Sequence, residues 1–210
     1  SAMSGTTNSL IEIADEATKG NVEKAKELTK KLEEKYHLTS NELFHTSMYM
    51  KRGEEFIKDM FNNVSKKIDT NFSITEHNEV VATGELLSTG LFQMYLTEIG
   101  KKSAFLPALS FMRIDRDHEP DYYYISENLQ RYLSAYLEAK VFITQGFICR
   151  NAVGQIDNLG RGGSDYTAAI LGNVINADEV QIWTDIDGMH NNDPRYVENT
   201  SPLRELSFEE

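Results

Sequence analysis

Asn158-Leu159-Gly160-Arg161-Gly162-Gly163-Ser164-Asp165-Tyr166-Thr167 runs directly into Ala168-Ala169-Ile170-Leu171, and the reading of this stretch decides the fold. Glycines interrupted by one arginine give way to a pattern in which Ala168, Leu171, Gly172 and Ile175 recur at helical spacing. Ser164 suits the N-cap, and Asp165 then falls in the first turn, where a carboxylate complements the helix dipole. Glycine lets backbone N–H groups approach an anion, a helix N-terminus adds positive potential, and Arg161 offers a planar fork of donors. On these residues alone two readings stay open: an anion-binding turn, or a tight turn leading into a capped helix.

Working outward, Val141-Phe142-Ile143-Thr144-Gln145-Gly146 is a β-branched run ended by glycine and reads as a buried strand. Glu179-Val180-Gln181-Ile182-Trp183-Thr184-Asp185 reads as the next strand, followed by a polar turn at Asp187-Gly188. Strand, glycine loop, helix and strand make a βαβ unit, which predicts a parallel sheet with right-handed crossovers and ligands beyond the carboxyl ends of the strands. The fold class is therefore α/β, with helices on both faces of a mainly parallel sheet.

Ahead of this unit the chain reads as mostly helical. After a small, polar start at residues 1–10, turning helical at Leu10, amphipathic patterns cover 21–37 and 39–69, with their polar faces in solvent. Val80-Val81-Ala82-Thr83-Gly84-Glu85 leads into a helix that Gly84 is expected to open, placing Glu85 in the first turn, where the dipole favours a carboxylate. Ala104–Leu109 is a short candidate strand, 113–121 a charged loop, and 122–139 a helix whose Tyr122, Tyr123, Tyr124, Tyr132 and Tyr136 suit packing and rim positions.

Composition sets the outer bounds. The 210 residues are enough for one large domain, and 40% hydrophobic with 26% charged residues is ordinary for a globular protein. A net charge of -12 argues against nucleic acid as a partner, and any anion site must concentrate positive charge locally, which singles out Arg161 and Arg195. Cys149, the single cysteine, excludes an internal disulfide and a cysteine-based zinc site; in Gly146-Phe147-Ile148-Cys149 it reads as a small core residue rather than a nucleophile. No run reaches the roughly 18 apolar residues of a membrane span and no signal peptide is visible, so no membrane partner and a cytoplasmic location are expected.

Taken together, these segments resemble the aspartate kinases of the amino acid kinase family. The resemblance rests on Ser1-Ala2-Met3-Ser4-Gly5-Thr6-Thr7-Asn8, Gly84-Glu85 and Ile143-Thr144-Gln145-Gly146-Phe147-Ile148. Above all it rests on Leu159–Ala169 and on Trp183-Thr184-Asp185-Ile186-Asp187-Gly188-Met189-His190-Asn191-Asn192-Asp193-Pro194-Arg195. It implies a three-layer αβα sandwich of the carbamate kinase-like type, formed by residues 1–210 as a single catalytic domain with a helical insertion at about 20–75. The implied reaction transfers the γ-phosphoryl of ATP, with Mg2+, to the side-chain carboxylate of L-aspartate, opening lysine, threonine and methionine synthesis.

Carried over residue by residue, Arg161 would clamp a substrate carboxylate beside Gly162, Gly163 and Ser164. Thr7, Ser1 and Glu85 would complete the aspartate pocket, with Glu85 on the substrate ammonium, and Asp165 would organise the phosphoryl-transfer groups. Thr184, Asp185, His190, Asp193, Pro194 and Arg195 would hold the nucleotide, and no side-chain metal site is implied. Phosphoryl transfer asks mainly for positioning and charge stabilisation, so the absence of an activated nucleophile or of a P-loop motif is no obstacle.

The sequence departs from the family pattern at His190, where tyrosine is common, and at Asn158, where threonine is common. The family's opening Lys-Phe-Gly-Gly-Thr-Ser strand, its later Gly-Ala-Lys segment and its regulatory ACT domains do not occur in these 210 residues. The resemblance therefore implies a segment truncated at both ends and inactive by itself, cut from a parent kinase that works as a homodimer. The competing readings are another amino acid kinase with a glutamate-type substrate, and a non-catalytic module that binds aspartate or nucleotide.

Overall fold

The computed structural model describes residues 1–160, 162–183, 188–193 and 196–207. The chain divides into two units, Ser1–Asp178 and Glu179–Glu210.

The first unit begins with four helices, α1 (Thr6–Thr18), α2 (Val22–Leu43), α3 (Ser47–Ile68) and α4 (Ile74–Glu98). Each of the middle two buries one stripe: Ala25, Thr29, Leu32, Tyr36 and Ser40 on α2, and Gly53, Ile57, Phe61, Val64 and Ile68 on α3. Those stripes close with Leu10, Ile13 and Ala14 of α1 and with Val80, Leu87 and Leu91 of α4 into one core. Burying a Leu, Ile or Phe side chain contributes about 1.5–3 kcal/mol, so this bundle is a solid base for the site on its surface.

Three helix starts differ from expectation: α3 opens at Ser47 instead of about 39, because α2 runs on to Leu43, and α1 and α4 both open early. Helix α1 opens at Thr6 rather than near Leu10, because Gly5 adopts the left-handed conformation that can initiate it. Helix α4 starts at Ile74, well before Gly84. Ser73 is its cap: the Ser73 hydroxyl accepts from Thr75 N–H at 3.2 Å, and Glu76 Oε2 accepts from Ser73 N–H at 2.9 Å. Gly84 lies mid-helix and serves close packing, since a Cβ there would stand 3.0 Å from Ala2 Cβ and 3.1 Å from Leu10 Cδ1. Glu85 is therefore held by burial beneath α1, and the helix dipole of a first turn plays no part.

Strand β1 (Ser103–Leu106) and strand β2 (Val141–Thr144) pair in parallel, from Ser103 opposite Val141 to Leu106 opposite Thr144. The crossover contains helix α5 (Tyr122–Ala135), shorter than the expected 122–139; Asp121 caps it by accepting from Tyr124 N–H at 3.0 Å. Strands β3 (Ile148–Arg150) and β4 (Ile156–Asn158) then form an antiparallel hairpin that the sequence reading lacks, and helix α6 (Gly163–Val174) follows. The α/β class holds, but the described parallel unit is β1–α5–β2. The expected strand 179–185 is not formed over 179–183, where Trp183 is 88% exposed. Its last two residues, Thr184 and Asp185, lie outside the described residues.

A second core beneath the sheets gathers Leu106, Phe111, Met112, Ile125, Leu129, Ile148 and Ile170. Cys149 is buried in it, and burial with the nearby Asp157 charge pushes its thiol up to about 12, which suits a packing residue. Tyr132 packs on Phe111 while Tyr122, Tyr123 and Tyr136 are exposed, as packing and rim residues should be. Among the described residues no helix is long and apolar enough to cross a membrane. In the second unit His190 bridges Pro202 in antiparallel fashion, and its Nδ1 lies 2.9 Å from Thr200 Oγ1.

Candidate active site

The chain reaches the site from β2. Gly146 and Phe147 turn it, with Phe147 in the left-handed region at φ 68°. The hairpin returns it at Leu159, whose N–H donates to Phe147 O at 2.8 Å. Asn158 Oδ1 then accepts from Gly160 N–H at 3.0 Å, and Gly160 and Gly162 both take positive φ, which only glycine adopts without strain. The N-cap of α6 is Gly162 and not Ser164. Ser164 sits inside the first turn; Gly163 N–H donates to Gly160 O at 3.0 Å, and among the described residues no side chain caps this helix end, so the N–H groups that follow depend on water or a ligand.

Opposite stands α4. Glu85 is 3% exposed; its Oε1 accepts from Ala2 N–H at 3.3 Å, while its Oε2 is buried without a hydrogen-bond partner. Burial pushes this carboxyl above the ordinary carboxylate value. Beside it, buried Tyr36 donates its hydroxyl to Thr6 Oγ1 at 3.3 Å, and burial first, then the Glu85 charge, pushes the phenol up to about 12. Ser88 ties the leading segment to α4 by donating to Ser1 O at 2.7 Å.

These walls enclose a cavity of about 680 Å3 lined by Ser1, Thr7, Glu85, Gly162, Gly163, Ser164 and Asp165. Seven residues singled out from far-separated parts of the sequence thus share one space. Arg161, Thr184, Asp185, Pro194 and Arg195 lie outside the described residues. His190 and Asp193 belong to the second unit, where Asp193 O accepts from Tyr196 and Val197 N–H.

The cavity is also lined by Asn8, His77, Asn78 and Phe147, which sequence reasoning did not single out. His77, Asn78, Val81 and Glu85 follow one face of α4. That face becomes visible only once the helix is started at Ser73 instead of Gly84. His77 Nε2 lies 3.4 Å from Asp15 Oδ1, and its Nδ1 is buried without a partner among the described residues.

A buried carboxylate oxygen without a donor favours a cationic group, and an uncapped helix start favours an anionic one. A single cavity that offers both suits a zwitterion such as an amino acid. The chain belongs to the amino acid kinase family, whose sequence profile matches residues 2–210. It is similar to lysine-sensitive aspartokinase 3 of Escherichia coli, with 38% identity over 136 residues, 63% of this chain and 30% of that protein. It is also similar to the chloroplastic aspartokinase 1 of Arabidopsis thaliana, with 28% identity over 100% of this chain and 38% of that one. Among solved structures it resembles E. coli aspartokinase III in complex with aspartate and ADP (R-state), at TM-score 0.78 and 29% identity, over 97% of this chain and 45% of that one. The chain thus spans less than half the length of these relatives.

Proposed function

We propose that this chain is the substrate-binding part of an aspartate kinase, which transfers the γ-phosphoryl of ATP to the side-chain carboxylate of L-aspartate. The observation that carries the reading is Glu85: its buried, unpartnered Oε2 shares a cavity with the uncapped start of α6. The substrate ammonium would sit on Glu85 and a substrate carboxylate on the Gly162–Ser164 turn, with Arg161 closing on it. Thr7 and Ser1 would fill the remaining wall. Asp165 would stand near the transferred phosphoryl. A site that holds both ends of the acceptor gains rate by orienting the attacking carboxylate, which is already nucleophilic.

The likeness to a kinase whose structure holds aspartate and ADP supports the pairing of these two ligands. Thr184, Asp185, His190, Asp193, Pro194 and Arg195 would hold the nucleotide. Mg2+ would enter on the ATP phosphates, as is common for this ion. The reading extends to a cytoplasmic homodimer serving lysine, threonine and methionine synthesis.

The test is ADP release by the complete protein in the presence of ATP and Mg2+, with L-aspartate, L-glutamate or no acceptor. Release that depends on aspartate and is far weaker with glutamate is expected. Equal rates with both acceptors, or release that ignores them, would refute the assignment.

A further inference from the structure

The turn at Gly146-Phe147 and the start of α6 fit into each other with almost no slack. A Cβ on Gly146 would lie 2.9 Å from Ser164 Cα, and one on Gly163 would lie 2.8 Å from Phe147 Cδ2 and 3.2 Å from Phe147 Cα. Two positions without side chains therefore let backbone meet backbone at the cavity wall. Phe147 holds a left-handed φ of 68°, a conformation that a non-glycine residue keeps only when its surroundings fix it.

The hydrogen bonds name what fixes it. Phe147 N–H donates to Thr167 Oγ1 at 3.0 Å, and that hydroxyl in turn donates to Gly163 O at 2.7 Å. Thr167 is 2% exposed, so no water stands ready to replace either bond. A threonine bonding back to the carbonyl one turn earlier is ordinary: Thr18, Thr29 and Thr83 do the same within their helices. Thr167 in addition takes up a backbone donor from a segment outside its helix, and it spans from one cavity-lining residue, Phe147, to another, Gly163.

The geometry points to Thr167 as a positioning residue for the acidic-substrate site. Its hydroxyl locks the Phe147 turn to the first turn of α6, and this fixes where the Ser164 end of that turn meets the substrate carboxylate. The inference rests on the aspartate reading for the identity of the ligand, while the link itself is a property of the chain. Thr167 lies one turn inside α6, behind the cavity wall that Gly163 and Phe147 form. Its effect should therefore reach aspartate binding through position alone.

The experiment uses the complete protein with Thr167→Val, which keeps the shape and removes the hydroxyl, Thr167→Ser, which keeps the hydroxyl, and Thr167→Ala. Thr167→Val and Thr167→Ala should raise the KM for aspartate about tenfold and leave the KM for ATP within about twofold, while Thr167→Ser stays near the parent. Amide exchange at Phe147 should be slow in the parent and in Thr167→Ser, and at least about tenfold faster in Thr167→Val and Thr167→Ala. Unchanged exchange in a folded Thr167→Val or Thr167→Ala overturns the proposal, and so does a Thr167→Ser variant as impaired as Thr167→Val. Parallel rises in both KM values would also overturn it. If the parent shows no aspartate turnover but the exchange pattern holds, the substrate assignment fails and the link stands.

Discussion

In the proposed reading the α4 wall and the α6 wall of the cavity serve opposite charges, and they are built at opposite cost. On α6 no side chain among the described residues caps the first turn, which glycine backbone and solvent tolerate easily. On α4 a carboxylate is buried with one oxygen unpartnered, which taxes the folded state until a cation arrives. In that reading the α4 wall carries a desolvation cost that a cationic ligand would relieve, and the glycine wall is a shape. One should respond to changes of charge and the other to changes of volume.

The largest effect should follow from Glu85→Gln, which keeps the shape and removes the charge. Aspartate affinity should fall by at least about thirtyfold, the loss of a charge-assisted contact worth roughly 2 kcal/mol, as measured by titration calorimetry. Burial raises the Glu85 carboxyl, so the empty folded protein holds that proton more tightly than the unfolded chain. The stability this adds is complete below the ordinary carboxylate value of about 4.5 and is lost as pH rises through the raised value. Over that window the parent should lose melting temperature relative to Glu85→Gln, while its affinity for aspartate rises, because a bound ammonium favours the ionised form. A parent and a variant with parallel stability profiles would remove the desolvation cost from the α4 wall.

A volume change on the other wall comes next. Gly146→Ala brings a Cβ to 2.9 Å from Ser164 Cα, backbone that cannot step aside, and should destabilise the protein by about 1–3 kcal/mol in chemical denaturation. Aspartate affinity should weaken in the same variant without any change of charge. The smallest effect belongs to Ser73→Ala, which removes the α4 cap about three turns ahead of Glu85. It should lower stability by about 1 kcal/mol and leave aspartate affinity unchanged. A clear loss of affinity there would mean that the cap positions the cavity face of α4 that starts at His77.

The same contrast explains what could be read from the sequence. The α6 wall was legible because its signals are local: glycines at turn positions, then a helical repeat. Even there the cap was displaced, since Gly162 in the left-handed region starts the helix before Ser164 can. The α4 wall was legible only through family resemblance. Val80-Val81 are β-branched and Gly84 looks like punctuation, yet the bundle core overrides both, and the Ser73–Glu76 capping box that starts the helix is the local signal that was passed over. The β3–β4 hairpin escaped because its strands are very short; its signal was Asn151, whose Oδ1 accepts from Val153 and Gln155 N–H to form the turn. Residues 179–183 show the opposite failure, an apolar alternation that forms no strand, since a pattern alone does not make one.

The central claim, that the unpartnered oxygen of Glu85 receives the substrate ammonium, is tested most directly by a double cycle. L-Aspartate and succinate, which lacks the amino group, are titrated into the complete protein and into Glu85→Gln. The account predicts that the parent prefers aspartate by at least about thirtyfold and that the variant all but loses this preference. An undiminished preference in Glu85→Gln would contradict it.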